Sequence, residues 1–139
     1  MVTRSELKKL TVRRLKDAHV LMKGRRYESA YYLAGYVVEH AIKACIAGQF
    51  RRNTIPDRRL VNDTFSHDLE NLLRTAGLYQ ELQNDVALVP GLGSSWSVVK
   101  DWRPDVRYST EKSKLDARDL IDAIENPNDG ILQWLTQHW

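Results

Sequence analysis

The stretch Ala30–Val38 contains no charged residue. It lies inside a longer segment, Tyr27 to Ala47, in which Ala30, Leu33, Ala34, Val37, Ala41, Ala44 and Cys45 recur at helical spacing. A helix that is apolar nearly all round must be covered on most sides, so the rest of the chain has to wrap around this one. The opposite face carries Tyr32, Gly35, Tyr36, Glu39 and Lys43. Gly35 would permit close approach of another helix, and with the tyrosines it offers a face for a second copy. The uncharged stretch is far shorter than the ~20 residues that cross a bilayer. Met1 to Lys9 has no apolar run of the kind a secretion signal needs. A cytoplasmic protein without a membrane segment is expected.

The flanking sequence supplies the cover. From Thr3 to Met22, Leu7, Leu15, Ala18 and Met22 recur at spacings of three and four, with Lys9, Arg13 and Lys16 opposite. Gly24 is the expected C-cap. Residues 48–65 are polar and basic and are expected to be a loop, longer than the usual 2–8-residue helix connection. Ser66 is the expected N-cap of a helix carrying Leu69, Leu72 and Leu73. A short helix is expected from Leu78 to about Ala87, and Pro90-Gly91-Leu92-Gly93 is expected to break the chain. Ser95 to Asp101 is expected to be helical and to end before Pro104. After an irregular stretch, Thr110 or Ser113 caps a helix with Ala117, Leu120, Ile121 and Ile124 inward, and Ile131, Trp134 and Leu135 make a last short helix. There is no strand pattern, internal repeat or linker. The expectation is an all-α protein: one domain over residues 1–139, an antiparallel up-and-down bundle of about five main helices with short extra ones.

Charge is unevenly placed. Residues 1–60 hold 14 Lys/Arg and 5 Asp/Glu, whereas residues 61–139 hold 7 and 13. A basic half admits an anionic partner, and it also admits attraction between the two halves or between copies. The single cysteine, Cys45, forms no internal disulfide and is expected to be buried and inert. No cysteine or second histidine stands at ligand spacing from His40, so no metal is expected. No cofactor is expected either. Gly91-Leu92-Gly93 lacks the lysine and strand context of a phosphate-binding loop.

Three pieces, in order, carry a family resemblance. The first is the helix pair broken by a short turn, Arg14 to Ala18 through Lys23 to Ala30. The second is Val38-Glu39-His40-Ala41-Ile42-Lys43-Ala44. The third is Ser66-His67-Asp68-Leu69, followed later by Arg107-Tyr108 before a final helix. Over about residues 10–125 the chain resembles the HEPN family. The resemblance implies an antiparallel helical bundle that usually forms a homodimer. Many members are ribonucleases of toxin–antitoxin or defence systems. Others are non-catalytic partners, often of a small nucleotidyltransferase.

Catalytic members carry Arg, four to six residues, then His, late in the bundle. Here Arg14 and His19 satisfy the bare spacing, but in the first helix. Five residues along a helix turn about 140°, so the two side chains point to different faces. No histidine follows Arg103 or Arg107 at the required distance; the later one is His138. The expectation is therefore a nucleotide-, RNA- or partner-binding module that is not catalytic. The alternative is a metal-independent endoribonuclease with a non-standard Arg/His arrangement, for which His67, Arg14 and His19 are the weak candidates. Tyr32, Tyr36 and Tyr108 with Arg103, Arg107 and Lys43 are the candidate surface for stacking bases and binding phosphates. Glu39 is expected to receive Arg107 as a structural ion pair. His67 is read first as a first-turn residue beside the capping serine and second as an acid or base.

Overall fold

The computed structural model describes residues 2–139, and among them there are eight α-helices, one 3₁₀ helix and no strand. The α-helices are α1 (Arg4–Lys23), α2 (Tyr27–Ala47), α3 (Arg58–Thr64), α4 (Leu69–Thr75), α5 (Tyr79–Leu88), α6 (Pro90–Val99), α7 (Lys114–Glu125) and α8 (Ile131–Leu135). The 3₁₀ helix, Pro104–Tyr108, lies between α6 and α7. The protein is an all-α bundle, as expected.

Helices α1, α4 and α7 each have a local reason to start where they do. Thr3 and Glu6 close a capping box at α1: the Thr3 hydroxyl accepts from the Glu6 amide at 3.2 Å, and the Glu6 carboxylate accepts from the Thr3 amide at 2.7 Å. Gly24 ends α1, but the left-handed residue that turns the chain is Arg25, at φ 59°. Ser113 and Asp116 form a second capping box at α7. Asp68, rather than Ser66, caps α4 by accepting from the Asn71 amide at 3.0 Å; Ser66 supports the turn by accepting from the Asp68 amide.

α2 is the hub. It packs on α1, α4, α7, α8 and the 3₁₀ helix, and eleven of its residues are buried. One hydrophobic cluster draws fully buried residues from every α-helix except α3, from Ala18 in α1 to Leu135 in α8. Cys45 lies in that cluster, and burial pushes its thiol pKa up to about 11, so it is unreactive near neutrality. Among the described residues no helix is long and apolar enough to cross a membrane.

Two expectations fail for physical reasons. The segment 48–65 is not all loop, because α3 forms within it. α3 buries no residue, so it leaves no apolar periodicity to read. Nor does Pro90-Gly91-Leu92-Gly93 break the chain; it opens α6. Proline is compatible with a first helical turn, where its missing N–H has no helical acceptor to bond. Gly93 lets α6 close on α5: a Cβ there would stand 2.7 Å from a Val86 methyl.

The C-terminal turn is locked by a polar bond. The Trp134 indole N–H donates to Asp85 of α5 at 2.7 Å. Trp134→Phe keeps most of the ring and leaves that carboxylate without its donor. We expect a loss of about 1–2 kcal/mol in denaturant unfolding; an unchanged midpoint would show that water replaces the indole without cost.

Candidate functional site

The face of α2 that the bundle leaves partly open carries Tyr32, Tyr36, His40 and Lys43, with Glu39 buried beside them. The helical repeat aligns the first three at steps of four. Tyr32 and Tyr36 meet edge to face with centroids 5.3 Å apart, and Tyr36 stacks at a tilt on His40 at 5.8 Å. The other edge contact of Tyr36 is with Trp102, at 5.0 Å. Burial first, then the hydroxyl–hydroxyl contact it shares with Tyr32, pushes the Tyr36 hydroxyl pKa up to about 12. It is therefore a neutral donor at any physiological pH.

Trp102 explains Gly35. A Cβ on Gly35 would lie about 2 Å from the indole atoms, the nearest at 1.9 Å. The close approach anticipated at this glycine is real, but what approaches is the chain's own fully buried Trp102, not a helix of a second copy.

Glu39 is 3% exposed and uses both oxygens. Oε1 lies 2.7 Å from Nδ1 of His67, and Oε2 lies 3.5 Å from the Lys43 ammonium. This corrects the expected Glu39–Arg107 pair. The turn leading into α4 brings His67 to the level of Glu39. The 3₁₀ helix instead sets Arg107 near Tyr32 and Tyr36, close enough for its charge to act on both. Arg107 stacks on the Tyr108 ring, its guanidinium carbon 4.6 Å from the centroid, and donates to the Tyr108 hydroxyl at 3.1 Å. Among the described residues no carboxylate lies within 4.0 Å of Arg107, which is exposed.

His67 is about half exposed while its partner is buried. A carboxylate only accepts hydrogen bonds, so the 2.7 Å contact places the proton of a neutral ring on Nδ1 and leaves Nε2 as the acceptor. Nε2 has no protein partner among the described residues. Next to it in sequence, Asp68 receives Arg103 at 3.0 Å, and Arg103 also donates to the carbonyls of Lys100 and Trp102. Arg103 therefore ties the start of the 3₁₀ segment to α4, and much of its donor capacity is already used.

His40 extends the site on the α1 side. Burial holds its pKa below the ordinary value, with Lys43 and Arg14 acting in the same direction and Glu39 opposing. Its Nδ1 is buried without a hydrogen-bond partner. Arg14 approaches from α1, whereas His19 turns to Glu125 of α7, with Nε2 2.8 Å from the carboxylate. The two are thus directed to different neighbours. Among the described residues no three His, Cys, Asp or Glu side chains gather closely enough to hold a metal ion.

The structure therefore gathers Tyr32, Tyr36, Arg107 and Tyr108, with Lys43 two turns further along α2. It engages Arg103 elsewhere and leaves Arg14 and His19 apart. Trp102 and the carboxylate–histidine pair are not evident from the sequence. The only sequence signals for the pair are a glutamate in the middle of a largely apolar helix and a histidine beside a helix cap.

Compared with known proteins, the chain matches the family model described as HEPN domain over residues 5–135. It belongs to the HEPN family. No curated protein and no solved structure gave a match.

Proposed function

We propose that the protein is a HEPN module that binds the phosphate and base of a nucleotide or of RNA across the open face of α2. Arg107 carries the reading. It is an exposed guanidinium with no carboxylate partner among the described residues, backed by the Tyr108 ring and neighboured by Tyr32 and Tyr36. A planar cation beside several aromatic rings suits a phosphate with an unpaired base next to it. Membership of the family extends this reading to a homodimer, and to a small nucleotidyltransferase-like partner in a toxin–antitoxin or defence setting.

The test is binding of labelled RNA and of AMP, by fluorescence anisotropy and calorimetry. Arg107→Ala should weaken both at least tenfold, about 1.4 kcal/mol, and shift the melting temperature little, since it breaks no ion pair. An affinity within twofold of the unchanged protein would sink the reading. A large fall in melting temperature would instead restore a structural role for this arginine.

A second reading, metal-independent endoribonuclease, is favoured by one observation. A buried carboxylate orienting a half-exposed imidazole, with the far nitrogen open, is the arrangement a general acid or base needs. On this reading His67, not Arg14 or His19, moves the proton. RNA incubated with chelator would be cut by the unchanged protein and left intact by His67→Ala.

A further inference from the structure

Residues 48–65 leave the bundle and return to it beside His67. The excursion is held at its start by the Gln49 side chain, which donates to the Ala76 carbonyl. Toward its end α3 packs chiefly against α4. Between these points almost nothing is buried. Arg51, Arg52, Arg58 and Arg59 are all exposed. Of the four, among the described residues, only Arg59 has a carboxylate within reach, Asp63 at 3.9 Å, and it remains 91% exposed. Asp57, the acid nearest the others in sequence, is occupied in capping α3, accepting from the Arg59 amide at 2.7 Å. Large apolar side chains lie along the same arm: Ile55, between Arg52 and Arg58, is 98% exposed, and Phe65, six residues after Arg59, is 74% exposed. Phe65 directly precedes Ser66-His67.

Uncompensated arginines alone would be an ordinary solvated surface. Followed along the same arm by an aromatic ring that the fold does not bury, they form a different surface. The cations match a polyanion, and the ring is wasted in water unless a planar apolar group covers it. Single-stranded nucleic acid offers both, one phosphate per unpaired base, whereas a duplex keeps its base faces stacked inside.

We propose that the arm of residues 48–65 is a docking surface for single-stranded RNA, leading the strand to His67 and the open face of α2. The proposal deepens the nucleotide-binding reading and rests on it for the class of ligand, while the arm's own residues are separate from the Arg107 site. Arg51, Arg52 and Arg58 engage backbone phosphates, and Phe65 stacks a base one step before His67.

The experiment measures binding of a fluorescein-labelled oligouridine across a salt series, for the unchanged protein and for Arg51→Ala/Arg52→Ala/Arg58→Ala and Phe65→Ser. Neither variant removes a buried side chain, and a thermal melt verifies that both are folded. The triple variant should weaken oligouridine binding at least tenfold at low salt. It should also reduce the slope of log Kd against log salt by about 2, at ~0.7 for each phosphate no longer neutralised. Phe65→Ser should weaken binding several-fold with the slope unchanged. AMP binding should be the same in all three proteins. An oligouridine slope that the triple variant leaves unchanged overturns the proposal and points to an acidic protein surface as the complement of the arm. Oligouridine binding that depends on the arm, with no AMP binding at all, would sink the Arg107 reading and leave the arm standing. Absence of both would sink the two together.

Discussion

Gly35→Ala is expected to lower the melting temperature by about 10 °C. Two effects oppose each other at this position. Alanine inside a helix is worth about 1 kcal/mol more than glycine, which alone would raise stability. Against it stands the Trp102 ring, which a Cβ would enter at 1.9–2.2 Å. That ring is fully buried and has Tyr36 against it, so it has nowhere to move without shifting the 3₁₀ helix. Overpacking of a close-packed site costs about 1–3 kcal/mol and sometimes more, and a rigid indole overlapped this deeply belongs at or just above the upper end, about 3–4 kcal/mol. The net loss is then about 2–3 kcal/mol, which for a chain of this size is on the order of 10 °C. Circular dichroism melts would measure it. A melting temperature unchanged or raised would mean that the glycine is not held by the indole. Coupling to Trp102 is checked by Gly35→Ala/Trp102→Leu: the double variant should lose less than the sum of the singles, because the smaller side chain makes the room that the methyl needs. A site effect should follow as well. Trp102 supports Tyr36 and leads into the segment bearing Arg107, so Gly35→Ala should disturb ligand binding even at temperatures where the protein is folded.

What the sequence reveals depends on where each signal is stored. The role of α2 is legible because nine consecutive uncharged residues inside one helical pattern admit few placements. The α7 cap is legible to within two candidates, Thr110 and Ser113, because a cap is a local arrangement that needs no partner elsewhere, and Ser113 with Asp116 is the one formed. α3 is not legible, since a helix that buries nothing has no apolar repeat. The start of α6 is ambiguous in sequence because proline both ends helices and begins them, and the choice here depends on Val86 and α5 lying against Gly93. The site divides in the same way. The tyrosines and Lys43 share a face because they share a helix. The partner of Glu39 is not legible because three hydrogen-bond donors compete for one buried carboxylate: Lys43 is local, and the choice between His67 and Arg107 is set by how the α4 turn and the 3₁₀ helix dock on α2. Sequence spacing does not contain that information.

Glu39→Ala and His67→Ala should differ sharply in stability although they remove two ends of one hydrogen bond. Glu39 is buried and serves two partners, so its loss leaves a small void and strands the Lys43 ammonium, which is only 17% exposed, without a counter-charge. Breaking a buried ion pair by removing one partner costs about 3–5 kcal/mol; the partial exposure of Lys43 and His67 argues for the low end, about 3 kcal/mol, or again roughly 10 °C. His67→Ala removes a half-exposed ring and leaves Glu39 still paired with Lys43, for a loss nearer 1 kcal/mol. The asymmetry separates a staple from a working side chain. If His67 exists to hold α4 on α2, the two variants should unfold at similar temperatures, and that result would remove His67 from the candidate site. If Glu39 exists to orient His67, then His67→Ala stays folded and loses RNA cleavage outright. Glu39→Gln, which still accepts from Nδ1 but withdraws the negative charge, should then cut more slowly than the unchanged protein while binding RNA with the same affinity.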